Sequence, residues 1–307
     1  MTTNNFKNIF FIFKNSIFAN KKIIFLMTFI LFLVTILILI IPYCVVLTYP
    51  NHDERIFIYN SFAFNKTLNN TSFKIEKGVS YYLTYFLYCT PDLVIYGAIS
   101  FTLIQLLVMS DIRSGRISIV FFLPISRKTI ITTKIFTIIF LILTMMVLQF
   151  LLTIGVVKVL YNNFGSEEIK RVFLSAINMF VINIFFVLLI LAVSFLNFKN
   201  LNMIAVTITI FSILFLIFLT TEILLLFNAN SKLVNFLTKI DLRGYMAIPA
   251  ISDFTSENAI AYKIGWIFPF KDFEYLKFSL SVLIFSILDV FLFMFVVYKF
   301  NNRDFSI

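Results

Sequence analysis

Several residue types that build chemical centres are scarce in this sequence. The 307 residues include one histidine, two cysteines and seven glycines. So few histidines and cysteines exclude most metal centres, haem and iron–sulfur clusters made by this chain alone, and two cysteines are too few for a disulfide framework. No G-x-x-x-x-G-K-[ST] phosphate-binding loop occurs either. We therefore expect no resident cofactor or metal and no enzyme activity of the chain's own.

Charge is scarce as well. Charged residues make up 13% of the chain and hydrophobic residues 61%, whereas soluble domains average about 25% charged residues. An ordinary cytosolic globule is thereby excluded. Intrinsic disorder is excluded too, because it requires low hydrophobicity and high net charge. The composition indicates a protein that needs lipid as its solvent.

Six stretches are long and apolar enough to cross a bilayer, which takes about 20 residues in a helix. They cover residues 23–43, 91–109, 135–157, 172–196, 201–222 and 278–298. The sequence therefore predicts an all-α integral membrane protein in which residues 1–307 form a single transmembrane domain.

Two further regions differ from these spans. In 5–22, Phe6, Ile9, Phe10, Phe13 and Ile17 recur at helical spacing, with lysines on another face. This pattern is typical of an amphipathic helix lying in the membrane interface. Residues 228–277 have mixed polarity and are too polar to span. We expect this second region to lie on the extracellular side.

The distribution of basic residues predicts the orientation. If the N-terminus is inside, the inner segments hold twelve of the 25 Lys and Arg residues but only two of the 15 acids. Lys and Arg favour the cytoplasmic side of short loops. Both termini are therefore expected in the cytoplasm, and the net charge of +10 indicates contact with anionic lipid, not nucleic acid.

The most informative segment connects the second and third spans. It contains Ser110-Asp111-Ile112-Arg113-Ser114-Gly115-Arg116-Ile117, then Phe122-Leu123-Pro124-Ile125-Ser126-Arg127-Lys128, and ends at Lys134. Pro124 should end a short helix, because proline lacks the N–H that a helix requires. Ser126 should then cap the helix that continues into the third span. The pattern predicts a cytoplasmic hairpin over 110–128.

This segment resembles the permease subunits of ABC-2-type ABC transporters. In that family an acidic residue ends the second span, and a run of the form G-x-[LI]…L-x-x-P-[IV]-S-R…K follows. The matching residues here are Asp111, Gly115, Ile117, Leu123, Pro124, Ile125, Ser126, Arg127 and Lys134. The family more often has Glu and Thr where this chain has Asp111 and Arg116. Residues 268–270 and 300–305 also resemble the family's Pro-Phe turn and its closing F-x-x-R-D.

The resemblance implies a plasma-membrane exporter without an ATPase of its own. Two permeases, either identical or a chain with its paralogue, would associate with two cytosolic ATPase subunits that hold ATP and Mg²⁺. The hairpin would be the coupling helix that contacts the ATPase, with a second contact at the turn between spans four and five. The residues expected at this interface are Asp111, Arg113, Ser114, Gly115, Arg116, Ile117, Arg127, Lys128, Asn197 and Lys199. The cargo would be apolar or amphipathic, such as a small peptide, a lipid or a drug.

Polar residues within the spans are candidates for the translocation pathway. They are Asp289, Glu222, Gln105, Gln149 and Asn183. A carboxylate within a span is costly and is therefore often functional. The uncharged residues have an alternative role, shared with Asn178, because polar side chains in spans commonly form interhelical hydrogen bonds.

Other interpretations stay open at this point. The chain could be an ion- or proton-coupled carrier that uses Asp289, although such carriers usually show internal repeats with broken helices. It could also belong to an ABC-like complex that senses without transporting. Cys44 and Cys89 lie near the outer ends of their spans and could either pair or stay as free thiols.

Overall fold

A computed structural model describes residues 2–48, 90–114, 125–160, 165–196 and 275–302, together with six separate positions between 209 and 220. The secondary structure in these residues is entirely helical, and no strand occurs among them.

The helices are numbered in chain order. They are α1 (Thr2–Ala19), α2 (Lys21–Thr48), α3 (Thr90–Ile104), α4 (Ser110–Arg113), α5 (Arg127–Leu160), α6 (Ser166–Leu196) and α7 (Tyr275–Asn301). Residues Gln105–Met109 form a π-helical segment that joins α3 to α4 without a break.

Within the described residues, five helices are long and apolar enough to cross a membrane. These stretches are Lys21–Ile40, Val94–Ile112, Arg127–Val159, Ile169–Phe195 and Phe278–Asn301. The predicted all-α, multi-pass membrane protein is thereby confirmed. Apart from the six separate positions, which are helical, the predicted span 201–222 lies outside the described residues. So does the predicted extracellular region 228–277, except for its last three residues, which begin α7. The count of six spans stays a prediction.

Helices α5 and α6 form the centre of the bundle. In the most apolar window of α6, 61% of the residues are buried, against 17% in the corresponding windows of α2 and α7. Helix α6 packs on α3 and along α7, where Phe195 contacts Phe300 with ring centroids 5.5 Å apart. Helix α2 packs on α5 through a narrow stripe formed by Leu31, Thr35 and Leu39. The outer faces of α2 and α7 are left apolar and exposed, as lipid contact requires.

The packing shows which helix ends meet. Phe195 and Phe300 bring the last turns of α6 and α7 together, at the end of the bundle where α4 ends and α5 begins. We call this the hairpin end. Leu39 of α2 packs with Val157 and Val172, near the end of α5 and the start of α6. These residues mark the opposite end, which we call the far end.

Helix α1 is packed against α5 near the hairpin end, where Phe13 contacts Phe140 with ring centroids 5.4 Å apart. Ile12 is buried against the bundle, whereas Phe10, Phe11 and Phe18 are exposed. Ile12, which is not part of the predicted apolar face, thus points into the bundle, while Phe10 of that face points away from it. The interfacial location of the helix stays a prediction. The predicted helix 5–22 also ends earlier than expected, since the chain turns at Asn20 before α2 begins.

Helix α5 begins as the sequence predicts. The Ser126 hydroxyl oxygen accepts a hydrogen bond of 3.1 Å from the backbone N–H of Thr129, which is the geometry of an N-cap. The predicted cap is confirmed. The helix then runs 34 residues to Leu160 and exceeds the predicted span 135–157 at both ends, so its first turns extend beyond the apolar run.

Candidate functional site

A buried ion pair joins α4, at the start of the 110–128 segment, to α5, the helix that follows it. Lys134 in the second turn of α5 is only 2% exposed, and its Nζ lies 2.5 Å from Oδ2 of Asp111 in α4. The Asp111 side chain is 24% exposed, so one side of the pair reaches the surface. A buried ammonium is tolerated only when it is paired and hydrogen-bonded, and Asp111 meets that need.

The π-helical segment supplies the second partner of this lysine. Nζ of Lys134 also donates a hydrogen bond to the backbone oxygen of Leu107, in the middle of the segment. The neighbouring carbonyl of Leu106 accepts a bond of 2.5 Å from the Ser110 hydroxyl. Five-residue π-turns shift the normal helical bonding and are frequent at functional sites. Two successive carbonyls of the π-helical segment are thus bonded by side chains.

These contacts fix the end of α3–α4 to the start of α5. The segment between α4 and α5 therefore starts and ends at neighbouring positions. One ion pair and one bond from a side chain to the backbone, both made by Lys134, hold these two positions together. A force applied to the intervening segment would reach both helices together. Helix α5 in turn packs on α1, α2, α6 and α7, so the base of the segment is connected to most of the bundle.

The predicted coupling residues are only partly described. Ser114, Arg127 and Lys128 are exposed at the hairpin end, and the Ser114 hydroxyl donates a 2.7 Å bond to the Ser110 carbonyl. Arg113 lies in α4. The remaining predicted members lie outside the described residues. They are Gly115, Arg116, Ile117, Asn197 and Lys199.

Two of the uncharged polar residues in the spans form interhelical hydrogen bonds. The Tyr96 hydroxyl donates a 2.7 Å bond to Oε1 of Gln149, joining α3 to α5. The Ser281 hydroxyl donates a 2.9 Å bond to Oδ1 of Asn178, joining α7 to α6. All four residues are fully or almost fully buried. The alternative role for Gln149 and Asn178, interhelical bonding, is therefore confirmed.

Other polar side chains in the bundle are less well satisfied. Asn183 is fully buried, and its Nδ2 lies 4.0 Å from the Met146 sulfur. Its Oδ1 has no hydrogen-bond partner, and the same holds for Nε2 of Gln105, Oγ of Ser100 and Oδ1 of Asp289. Glu222 lies outside the described residues. Among the described pathway candidates, Gln105, Asn183 and Asp289 thus each keep one buried polar atom without a hydrogen-bond partner.

Sequence reasoning missed three features of this site. Tyr96, Ser100 and Ser281 are isolated polar groups in apolar runs, where no spacing distinguishes them from lipid-facing neighbours. The π-helical segment Gln105–Met109 contains neither glycine nor proline and therefore carries no local signal. Asp111 and Lys134 were both recognisable from the motif, but their contact was not.

No group of three or more His, Cys, Asp or Glu side chains that could hold a metal ion occurs in the described part of the chain. Comparison with models of known protein families, with curated proteins and with solved structures gives no match to this chain. The functional assignment therefore depends on the residues and contacts themselves.

Proposed function

We propose that this chain is the transmembrane permease subunit of an ABC-2-type exporter. The observation that carries the proposal is the Asp111–Lys134 ion pair. These two residues begin and end the sequence run that resembles the family's coupling helix, and they are 23 positions apart. Their direct contact supports interpreting 110–128 as one mechanical unit attached to two spans.

In the proposed mechanism, closure of two ATPase subunits on bound ATP and Mg²⁺ pushes the 110–128 hairpin. Because Lys134 ties the hairpin base to α3, α4 and α5, the push displaces α3 and α5 together. Helix α5 passes the displacement to the helices packed on it. The hairpin end would face the cytoplasm of a cell whose plasma membrane holds the chain, and the pathway would lie between two permeases.

The test is a mild-detergent purification of the tagged chain from native membranes, followed by mass spectrometry and an ATPase assay. We expect a stoichiometric ATP-binding subunit and vanadate-sensitive hydrolysis, because the permease has no ATPase of its own. A second permease in the eluate would make the core heteromeric.

The double variant Arg113→Glu and Arg116→Glu should lose the ATPase and still insert, because it reverses the charge of the proposed contact.

The matched control reverses two charges at the far end, in the variant Lys158→Glu and Lys170→Glu. Helix α5 carries Lys158 in its last turn, and Lys170 lies over the Tyr275 ring. This control should retain the ATPase. Loss of the ATPase from both variants, or from neither, would contradict the coupling assignment.

One observation favours a second candidate, an ion- or proton-coupled carrier that uses Asp289. The Oδ1 atom of this residue is enclosed without a hydrogen-bond partner, which is unusual for a carboxyl group in a span. Purification of the chain alone, without ATP hydrolysis, would favour this carrier. An ATPase complex that moves no cargo would instead favour a sensing role.

A further inference from the structure

Asp289 is the one charged residue in the apolar run 278–298 of α7. Its side chain is half-buried, and Oδ1 is enclosed without a hydrogen-bond partner. Because the side chain is only half-buried, part of it is accessible from the surface of the bundle. This arrangement differs from a buried structural carboxyl, which would have its hydrogen-bonding capacity filled from within the fold.

Two phenylalanines flank Asp289 at one helical turn on either side. Phe285, four residues earlier, packs edge-on against Phe185 of α6 with centroids 5.4 Å apart. Phe293, four residues later, lies 6.1 Å from Phe136 of α5. Residues four apart share a helix face. The carboxyl group therefore lies at the seam where α7 passes from α6 to α5, with aromatic rings on both sides.

The facing helices provide no counter-ion at this depth. Residues 135–157 of α5 and 172–196 of α6 include no charged side chain. Lys134, the nearest cation before this stretch of α5, is already bonded to Asp111. A carboxylate in an apolar setting needs a cation or a proton, and these stretches of α5 and α6 supply no cation.

We propose that Asp289, with Phe285 and Phe293, forms a binding site for a hydrophobic ammonium cation. The carboxylate would pair with the ammonium group, and the ring faces would attract the same positive charge. The apolar body of the ligand would lie against α5 and α7, where Val147 and Val290 are exposed. The inference deepens the proposed function, since it names a cationic amphiphile as the cargo class of the exporter.

The site is tested with radiolabelled dodecyltrimethylammonium and the purified full chain in nanodiscs of neutral phosphatidylcholine, with empty nanodiscs subtracted. We expect saturable binding that unlabelled probe displaces and dodecyl sulfate does not. Asp289→Asn should weaken it about tenfold or more, because loss of one charge from a desolvated pair is costly. Asp289→Glu should retain most of the affinity, because it keeps the charge.

Ser281→Ala serves as the structural control. It removes the bond to Asn178 between α7 and α6 but leaves Asp289 and both phenylalanines in place. This variant should lower the unfolding temperature and leave cation binding unchanged. Equal binding by the wild type and Asp289→Asn would overturn the proposal, as would absence of saturable binding. Both results would assign Asp289 a protonated, structural role.

Failure of this site is distinguishable from failure of the proposed function, because the binding assay needs no ATPase. A chain that co-purifies with an ATPase but binds no cation would retain the exporter assignment and lose the site. A chain that binds the cation through Asp289 but purifies alone would retain the site and lose the exporter assignment.

Discussion

At the scale of single residues, Lys134 shows how a charge is kept inside an apolar bundle. Its ammonium group has two oxygen partners, one from a side chain and one from the π-helical backbone. Asp111 is less enclosed and can be hydrated on its exposed side. Removing one partner of a buried ion pair is far more destabilising than replacing both. The two members of the pair should therefore respond differently to substitution.

This asymmetry gives a stability prediction. Asp111→Asn strands a buried ammonium and should cost about 3–5 kcal/mol of unfolding free energy. Lys134→Met should cost less, because the Asp111 carboxylate left behind reaches water. The double variant should be closer to the wild type than Asp111→Asn alone. Unfolding in detergent, followed by circular dichroism, measures all four chains, and additive losses would contradict the proposed coupling between the two residues.

The sequence could identify these two residues but not their contact. The motif marks Asp111 and Lys134 as members of one pattern, and Ser126 as a cap. The ion pair depends on how the 110–128 segment returns to its starting point, and no local propensity encodes that distance. Tyr96 and Ser281 were unpredictable for a related reason. Each contributes a hydrogen bond to a partner on another helix, 53 and 103 positions away in the sequence.

At the scale of helices, α1 has two apolar faces, one packed on the bundle and one exposed. Ile12 faces the bundle, and Phe10, Phe11 and Phe18 form an opposite apolar edge beside Lys14, whose Nζ lies 5.7 Å from the Phe18 ring centroid. Helical periodicity predicted a helix here, which the structure shows, but it could not predict that Ile12 packs on the bundle. A sequence with so many phenylalanines allows more than one apolar face, and packing on α5 decides between them.

We expect the exposed edge of α1 to lie in the membrane interface. Spin labels can be attached to single cysteines at positions 11, 12 and 18, in a chain where Cys44 and Cys89 are replaced by serine. Labels at 11 and 18 should collide more often with oxygen, which concentrates in lipid, than with a water-soluble nickel complex. The label at 12 should be shielded from both. Preferential collision with the nickel complex at 11 and 18 would place this edge in water.

At the scale of the whole molecule, the helix ends restrict the topology. Helix α6 ends at the hairpin end, as its Phe195–Phe300 contact shows, and α7 begins at the opposite end. The chain between Leu196 and Tyr275 must therefore connect opposite ends of the bundle. An odd number of crossings would satisfy this requirement, and the predicted span 201–222 would provide one. The described helix directions are therefore compatible with the predicted sixth span, which stays a prediction.

The same topology predicts the accessibility of the two ends. Single cysteines at positions 114, 127 and 302 lie at the hairpin end, and one at 166 lies at the far end; all four positions are exposed. In intact cells an impermeant maleimide should label only position 166, because the basic segments favour the cytoplasmic side. The other three should react after permeabilisation. Labelling of 127 and 302 from opposite sides would contradict the arrangement of α5 and α7.

The Lys134 contacts also bear on how the chain enters the membrane during synthesis. Alone, α5 would carry an unpaired ammonium at the edge of its apolar run, and α4, which continues α3, would carry an unpaired carboxylate. Transfer of such charges into lipid costs free energy, and this cost is smaller when the two charges neutralise each other. Pairing makes the two helices complementary before the later helices are translated. The second and third crossings are therefore expected to leave the insertion machinery as one unit, with Lys134 already bonded to Asp111.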